Sequence, residues 1–451
     1  MLKKIISYGF VEGIAKGLNK LTILIIPFLI DVSSYGQLTL LISVELILPF
    51  ISFLGLERVI LRFYSIKKEY RLFDNTVSFS VKLAHLVILF LVVIIYLIFG
   101  NNFFGIKLFP DLLLVIFLVF FQGMNLLRFN MLRVNEDHKT YFKKKLTFNI
   151  LKFFLVLLIV LVFKSYLGYL IGSLISSILI YSSFKNNIPL NFKNKGSLKT
   201  FKKLFSFSYP FVFHGISLSL LGNADKFIMN YYLTIEEVGI YSLAYVIGSS
   251  ISFAFIGVTV LMEPLIYKEQ NIIKRKILLD KFKYQTLFFG VMAYFVINLC
   301  NQYLLPNIYN DSYNDMLIYI PLIALAYLVF PYYLKANYIL TYNKKTKPIA
   351  LISIFSSLLN IGLNIILIPF YGIYAAVIIT IFSFMVQSII FTIISNREKM
   401  LSKETFSLLM FIALIIISVY FKIPYYFSTV LYLLFIVFDS KKIFFSKNIY
   451  Q

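Results

Sequence analysis

The sequence predicts an all-α integral membrane protein with about 14 transmembrane helices: two six-helix bundles in parallel repeat around a central cavity, plus a C-terminal helix pair. Three observations lead there. The chain is too apolar for a water-soluble fold, its apolar runs have spanning length, and its landmarks recur half a chain apart. Of 451 residues, 60% are hydrophobic and only 14% charged, and the mean hydropathy is +0.86. Soluble domains run nearer half apolar and a quarter charged. The single cysteine, Cys300, excludes an internal disulfide framework. The three histidines (His85, His138 and His214) lack zinc-ligand spacing, so no metal site and no cofactor are expected.

Hydrocarbon about 30 Å thick requires roughly 20 helical residues. Runs near that length fall at 8–30, 38–60, 77–99, 111–132, 146–163, 166–184, 207–232, 238–262, 284–305, 316–340, 347–369, 372–395, 405–421 and 424–438. The last two are short, so twelve spans with a looser hairpin is the alternative count. None alternates polar and apolar residues as barrel strands do. The first run is interrupted by Glu12, Lys16 and Lys20 and lacks a small-x-small cleavage site, so it reads as a retained helix rather than a signal peptide.

The net charge of +23 sits in short clusters between apolar runs, a pattern for anionic headgroups and not for nucleic acid. Assigned to alternating sides, 34 basic residues fall on one side and three (Lys107, Lys164, Lys422) on the other, with six inside spans. That bias places both termini in the cytoplasm of a multi-pass protein. Outward loops are about a dozen residues or fewer, too small for an extramembrane catalytic domain. The basic segment 185–206 therefore divides an N-terminal six-helix bundle, 1–184, from a second bundle, 207–395, with a helix pair and tail at 396–451. Gly36 in S-Y-G-Q-L-T-L and Gly239 in E-V-G-I-Y-S-L lie 203 residues apart, and Gly168 and Gly372 lie 204 apart. Two landmarks agreeing within one residue point to a tandem repeat in one orientation, and such repeats place substrate at their interface.

Charges inside spans are retained beside partners or wet cavities. Glu12, Lys16 and Lys20 share one helix face at i, i+4 and i+8. Glu45 precedes Pro49 by one turn, and that proline is expected to break the helix. His214 and Asp225 share a face three turns apart, and Lys226 adjoins Asp225 above a stripe of Gly215, Ser219 and Gly222. Lys16, Lys20 and Lys226 are the candidate diphosphate-binding residues of a cavity, because a lysine-rich cavity suits an anion. Glu45, Asp225 and His214 are the candidates for charge pairing or ion coupling. Lys82, Lys152 and Lys335 are secondary, with snorkelling to headgroups the favoured reading. Glu12 and Glu263 lie near span ends, where they cap or pair.

Several stretches resemble the polysaccharide-exporter branch of the multidrug/oligosaccharidyl-lipid/polysaccharide (MOP) flippase superfamily. Residues 205–245 resemble its seventh-helix signature, with Pro210 opening the helix, the acid–base pair Asp225-Lys226, and the turn Gly239, Tyr241, Ala244 and Tyr245. Residues 358–378 resemble its eleventh helix through Asn360, Asn364, Pro369 and Gly372; Tyr374 or Ala375 stands where a second glycine is usual. Residues 55–64, with Arg58, resemble the end of the second helix. Arg58, Asn360 and Asn364 thereby join the secondary candidates. The resemblance covers about residues 1–395. It implies a non-enzymatic flippase of the bacterial inner membrane, moving undecaprenyl-diphosphate-linked oligosaccharide repeat units of O-antigen or capsule type by alternating access. H⁺ or Na⁺ is the implied coupling ion. Membrane lipids, a polysaccharide polymerase and glycosyltransferases are the implied partners. The extra helix pair is implied to form a groove for the lipid tail. Other readings remain: a flippase for teichoic-acid or lipid II precursors, a drug/cation antiporter, or, from a different class, a membrane polymerase or glycosyltransferase.

Overall fold

The computed structural model describes residues 2–57, 70–103, 105–184, 198–396 and 404–444. It is an all-α membrane protein. Among the described residues, eight helical segments are long and apolar enough to span a bilayer, and shorter apolar helices accompany them. The chain forms two compact units, Ile14–Gly239 and Met1–Gly13 with Ile240–Gln451. The boundary between them falls after Gly239, beyond the basic segment expected to divide the bundles.

The helices of the first unit are α1 (Leu2–Ile25, from Ile14), α2 (Val32–Phe53), α3 (Tyr70–Phe99), α4 (Leu113–Val134), α5 (His138–Phe163), α6 (Leu167–Ser183) and α7 (Leu198–Tyr232). A two-residue hairpin, Asn102–Phe103 with Ile106–Lys107, joins α3 to α4. Asp31 caps α2 by accepting from the Ser34 amide at 3.0 Å. Hydrogen bonding from the Ser33 hydroxyl holds the Asp31 carboxyl down to about 2, so the cap is ionised throughout the physiological range. Pro49 does not break α2, contrary to the sequence expectation. Membrane helices tolerate proline where neighbouring groups compensate for the lost backbone bond. Likewise Pro210 lies inside α7, which begins twelve residues earlier at Leu198. Hydropathy misses those turns because they are polar.

Glycine sets the closest approaches in this unit. A Cβ on Gly168 would lie 2.8 Å from Val160 Cα, and one on Gly172 2.8 Å from Val156 Cα, so α6 rests directly on the α5 backbone. The other contact is reciprocal. A Cβ on Gly36 would meet the carbonyl of Ile235 at 2.1 Å, and one on Gly239 would meet the carbonyl of Val32 at 2.5 Å. Gly36 and Gly239 are separated by the same 203 residues as Val32 and Ile235. A pairing in which i touches j′ and j touches i′ is what a two-fold relation between duplicated segments produces.

The second unit contains α8 (Ile235–Gly248, from Ile240), α9 (Ser252–Lys268), α10 (Ile272–Tyr303), α11 (Met316–Leu328), α12 (Phe330–Tyr342), α13 (Thr346–Asn396), α14 (Glu404–Tyr420) and α15 (Tyr425–Phe444). The two expected spans at 347–369 and 372–395 are the arms of α13, parted at Gly372 by a non-helical backbone with φ 56°. Only glycine adopts that region readily. Val258, Leu279, Phe282 and Tyr338 form one apolar cluster, and Tyr333, Leu340, Ile352 and Phe391 another.

Replacing Gly36 by Val should force α2 away from the start of α8 and lower both the monodisperse yield and the thermal midpoint. Wild-type values for that variant, measured by fluorescence-detected size exclusion, would show the approach to be looser than described.

Candidate functional site

In the first unit, buried polar side chains gather on α2, α4, α5, α6 and α7. Lys226 is buried, and its ammonium donates to Asn223 Oδ1 at 3.1 Å. Asn223 Nδ2 in turn donates to the Ser219 carbonyl at 3.0 Å, which fixes the amide with its oxygen toward the lysine. Ser43 of α2 approaches the same oxygen at 3.4 Å. Asp225 is fully buried, and one of its carboxylate oxygens accepts from the Lys226 backbone amide at 2.8 Å. The small residues Gly215, Ser219 and Gly222 serve close packing as well as space: Gly215 lies under the Phe50 ring, and Ser219 Oγ reaches the Leu46 carbonyl at 3.4 Å.

Two residues along α2 from Ser43, Glu45 is buried and accepts from Gln122 Nε2 of α4 at 2.8 Å. The Tyr169 hydroxyl of α6 also faces this carboxylate. The nearby positive charge is Lys152 of α5, whose ammonium lies 3.4 Å from the Tyr169 hydroxyl and 5.2 Å from that ring's centroid. Lys152 therefore does not snorkel. It is buried inside the unit, where a carboxylate and an aromatic face replace water. Lys82 is also buried, in the wall of a small pocket between α3 and α4 that it shares with His85.

Lys16 is exposed, Lys20 and His214 are half-buried, and Arg58 lies outside the described residues. Glu12 belongs to the other unit. There, Glu263 is half-buried beside Tyr267 and Tyr338. Asn360 and Asn364 are fully buried and tie the arms of α13 together: Asn360 donates to Ser383 Oγ at 3.1 Å, and Asn364 donates to Asn360 Oδ1 at 3.0 Å.

Sequence reading missed Asn223 and Gln122, neutral amides that carry no charge signal, although Asn223 stands one turn before Lys226. It also missed a second charge cluster, in the second unit. Lys283 is fully buried and pairs with Glu404 at 3.0 Å and Asp439 at 3.3 Å; Lys335 pairs with Glu404 at 2.8 Å and with Asp280. Tyr284 donates to Asp439 at 2.9 Å. Two ammonium groups and three carboxylates from α10, α12, α14 and α15 thus bind the C-terminal helix pair to its unit. Lys335, expected to snorkel, is instead held within this network.

The sequence profile of the family described as "Polysaccharide biosynthesis protein" matches residues 1–268. The chain belongs to this family. The family is a flippase family of the MOP superfamily, so the chain is a MOP transporter. No curated relative matches it. Among solved structures, one described as "Lipid II flippase MurJ, inward closed conformation" superposes with a TM-score of 0.68 at 15% identity, over 96% of this chain and 99% of its own. An inward-facing multidrug resistance MATE family transporter of the MOP superfamily gives 0.61 at 13% identity, over 86% and 94%. A MOP superfamily transporter from Pyrococcus furiosus, described as having a binding pocket of reverse polarity, gives 0.53 at 13% identity, over 88% and 96%. At such identities the likeness shows the shared fold. The buried lysines have distinct surroundings: Lys283 and Lys335 sit in a multi-carboxylate network, whereas Lys226 donates to the Asn223 amide oxygen and feels the charge of the adjacent Asp225.

Removing one partner of a buried ion pair costs about 3–5 kcal/mol because the other charge is stranded. Lys335→Met should therefore lower the thermal midpoint markedly, read as earlier unmasking of Cys300 to a thiol-reactive fluorophore. An unchanged midpoint would show the network to be dispensable.

Proposed function

We propose that this MOP-family transporter is a flippase for polyprenyl-diphosphate-linked oligosaccharides, with undecaprenyl-diphosphate repeat units of O-antigen or capsule type as cargo. The observation that carries the reading is the buried Lys226–Asn223 pair beside Asp225, in the same compact unit as Lys20 and Glu45. Lys226 donates to the Asn223 amide oxygen and feels the charge of the adjacent Asp225, so the unit holds a lysine in a buried polar setting. A diphosphate exploits that charge, and lysine binds it as a point charge.

The setting is the bacterial inner membrane with both termini in the cytoplasm, as the basic bias supports. The sugar head crosses a chamber between the bundles 1–184 and 207–395, while the polyprenyl chain stays in lipid. The reciprocal Gly36/Gly239 contact supports that duplication. Lys20 and Lys226 attract the diphosphate, with Lys16 nearer the surface. Glu45, a buried acid on α2 that accepts from Gln122, takes the coupling role with H⁺ or Na⁺. The neighbour named a lipid II flippase supports a lipid-linked cargo, and the lysine content favours it over a drug cation. Binding must be similar on both faces, because a ligand shifts an equilibrium only by its differential affinity.

Lys20→Ala and Lys226→Ala should each abolish surface polysaccharide at normal membrane abundance, measured by immunoblotting of whole cells and membranes, with Lys226→Arg retaining export. Normal polysaccharide in both alanine variants would remove these lysines from the mechanism.

A further inference from the structure

The groups around Glu45 distinguish the two ions that could bind there. Gln122 Nε2 of α4 donates to the carboxylate at 2.8 Å. From α6 the Tyr169 hydroxyl faces it, and from α5 the charge of Lys152 acts on it. The Lys152 ammonium donates to the Tyr169 oxygen at 3.4 Å, which leaves the phenol's own hydrogen free to turn toward Glu45. An amide N–H, a phenol O–H and an ammonium thus converge on one carboxylate. Glu45, Lys152 and Tyr169 are each no more than 8% exposed, so solvent screens this arrangement little. All four residues belong to the same compact unit.

A hard cation that leaves water replaces its hydration shell with several oxygen atoms. The neighbours of Glu45 offer it hydrogens instead. One further oxygen is at hand: Pro49, inside α2, leaves the Glu45 backbone carbonyl without its helix hydrogen bond. A carboxylate and one carbonyl make a sparse shell for sodium, and the Lys152 ammonium repels a second cation beside it. A proton needs no such shell. It forms one O–H bond on the carboxylate, and the other oxygen still accepts from Gln122 or Tyr169. No other bond is made or broken. The proton also removes the negative charge that compensates Lys152. A buried ammonium deprived of its counter-charge must find another partner, which links ion binding to the packing of α5 against α2.

We propose that Lys152, with Tyr169, makes Glu45 a proton site and excludes sodium. The carboxylate alone takes the ion; Lys152 and Tyr169 are positioning residues that set which ion it takes. This specificity rests on the flippase reading in which Glu45 is the coupling acid, and it narrows the coupling ion to H⁺.

The test follows the carboxyl group itself. Difference infrared spectra of the purified full chain in nanodiscs, recorded across a pH step, should show a protonated-carboxyl band that Glu45→Gln removes. That band should titrate identically in sodium and in potassium. Lys152→Gln removes the ammonium and supplies an oxygen, so sodium should then compete with the proton and lower its apparent affinity about tenfold. Lys152→Arg should stay indifferent to sodium. A merely structural lysine would confer no such gain of sodium sensitivity when replaced. Should Lys152→Gln not be recovered in monodisperse form, Lys152→Met removes the same charge and should show the same direction of change. Absence of the Glu45 band, sodium sensitivity in the wild type, or indifference to sodium in the recovered charge-removing variant would overturn the proposal. If the wild-type band responds to sodium while Lys226→Ala still abolishes export, the ion specificity alone fails. If the spectra behave as described while Glu45→Gln exports normally, the proton site stands and its coupling role in the flippase fails.

Discussion

An ionised side chain inside hydrocarbon must be compensated, and this requirement organises both units of the protein. In the second unit the compensation is ionic: Lys283 and Lys335 share Glu404 and each adds a further acid, Asp439 or Asp280. Four helices are committed to that network, and its geometry leaves the lysines little to offer a ligand. In the first unit polar neutral groups do much of the same work. Lys226 leans on Asn223, Lys152 on the Tyr169 hydroxyl and ring, and Glu45 on Gln122. Acids contribute here too, Asp225 acting on Lys226 and Glu45 on Lys152, while the neutral groups fix the geometry. The same constraint thus gives a structural fastening in one unit and a candidate transport surface in the other.

Close backbone approach is the other organising element. Gly36 and Gly239 were visible in the sequence as equivalent landmarks of a repeat, and the structure gives the reason for the residue type, since neither position has room for a Cβ. Gly168 and Gly372, the second pair, are glycines for different reasons. One rests on the α5 backbone, and the other takes a positive φ that parts the two arms of α13 with open space around it. Equal spacing in sequence therefore corresponds to reciprocal contact in the first pair and to unrelated local demands in the second.

What hydropathy could read was the sequence of spans, because burial in hydrocarbon acts on whole runs of residues. It could not read the polar turns by which α7 and α10 extend beyond the apolar core. α10 starts at Ile272, twelve residues before the expected span at 284–305, so Asp280 and Lys283 looked like loop residues. The buried acids at Asp225 and Glu45 were legible because charge in an apolar run is conspicuous. Their neutral partners were not, since an amide in a helix gives no such signal until packing shows which group it faces. The compact units also do not follow the basic segment: α7, the first helix after it, runs antiparallel to α2 with contacts from Leu54–Ser208 to Ser43–Asn223.

The central claim is that this chain moves a diphosphate-linked saccharide across a bilayer, and reconstitution tests it most directly. Purified protein in liposomes carrying a fluorescent polyprenyl-diphosphate oligosaccharide should make the inner-leaflet pool accessible to an external quencher, faster when a proton or sodium gradient is imposed. Protein that is folded and correctly inserted, yet leaves that pool protected with or without either gradient, would contradict the account.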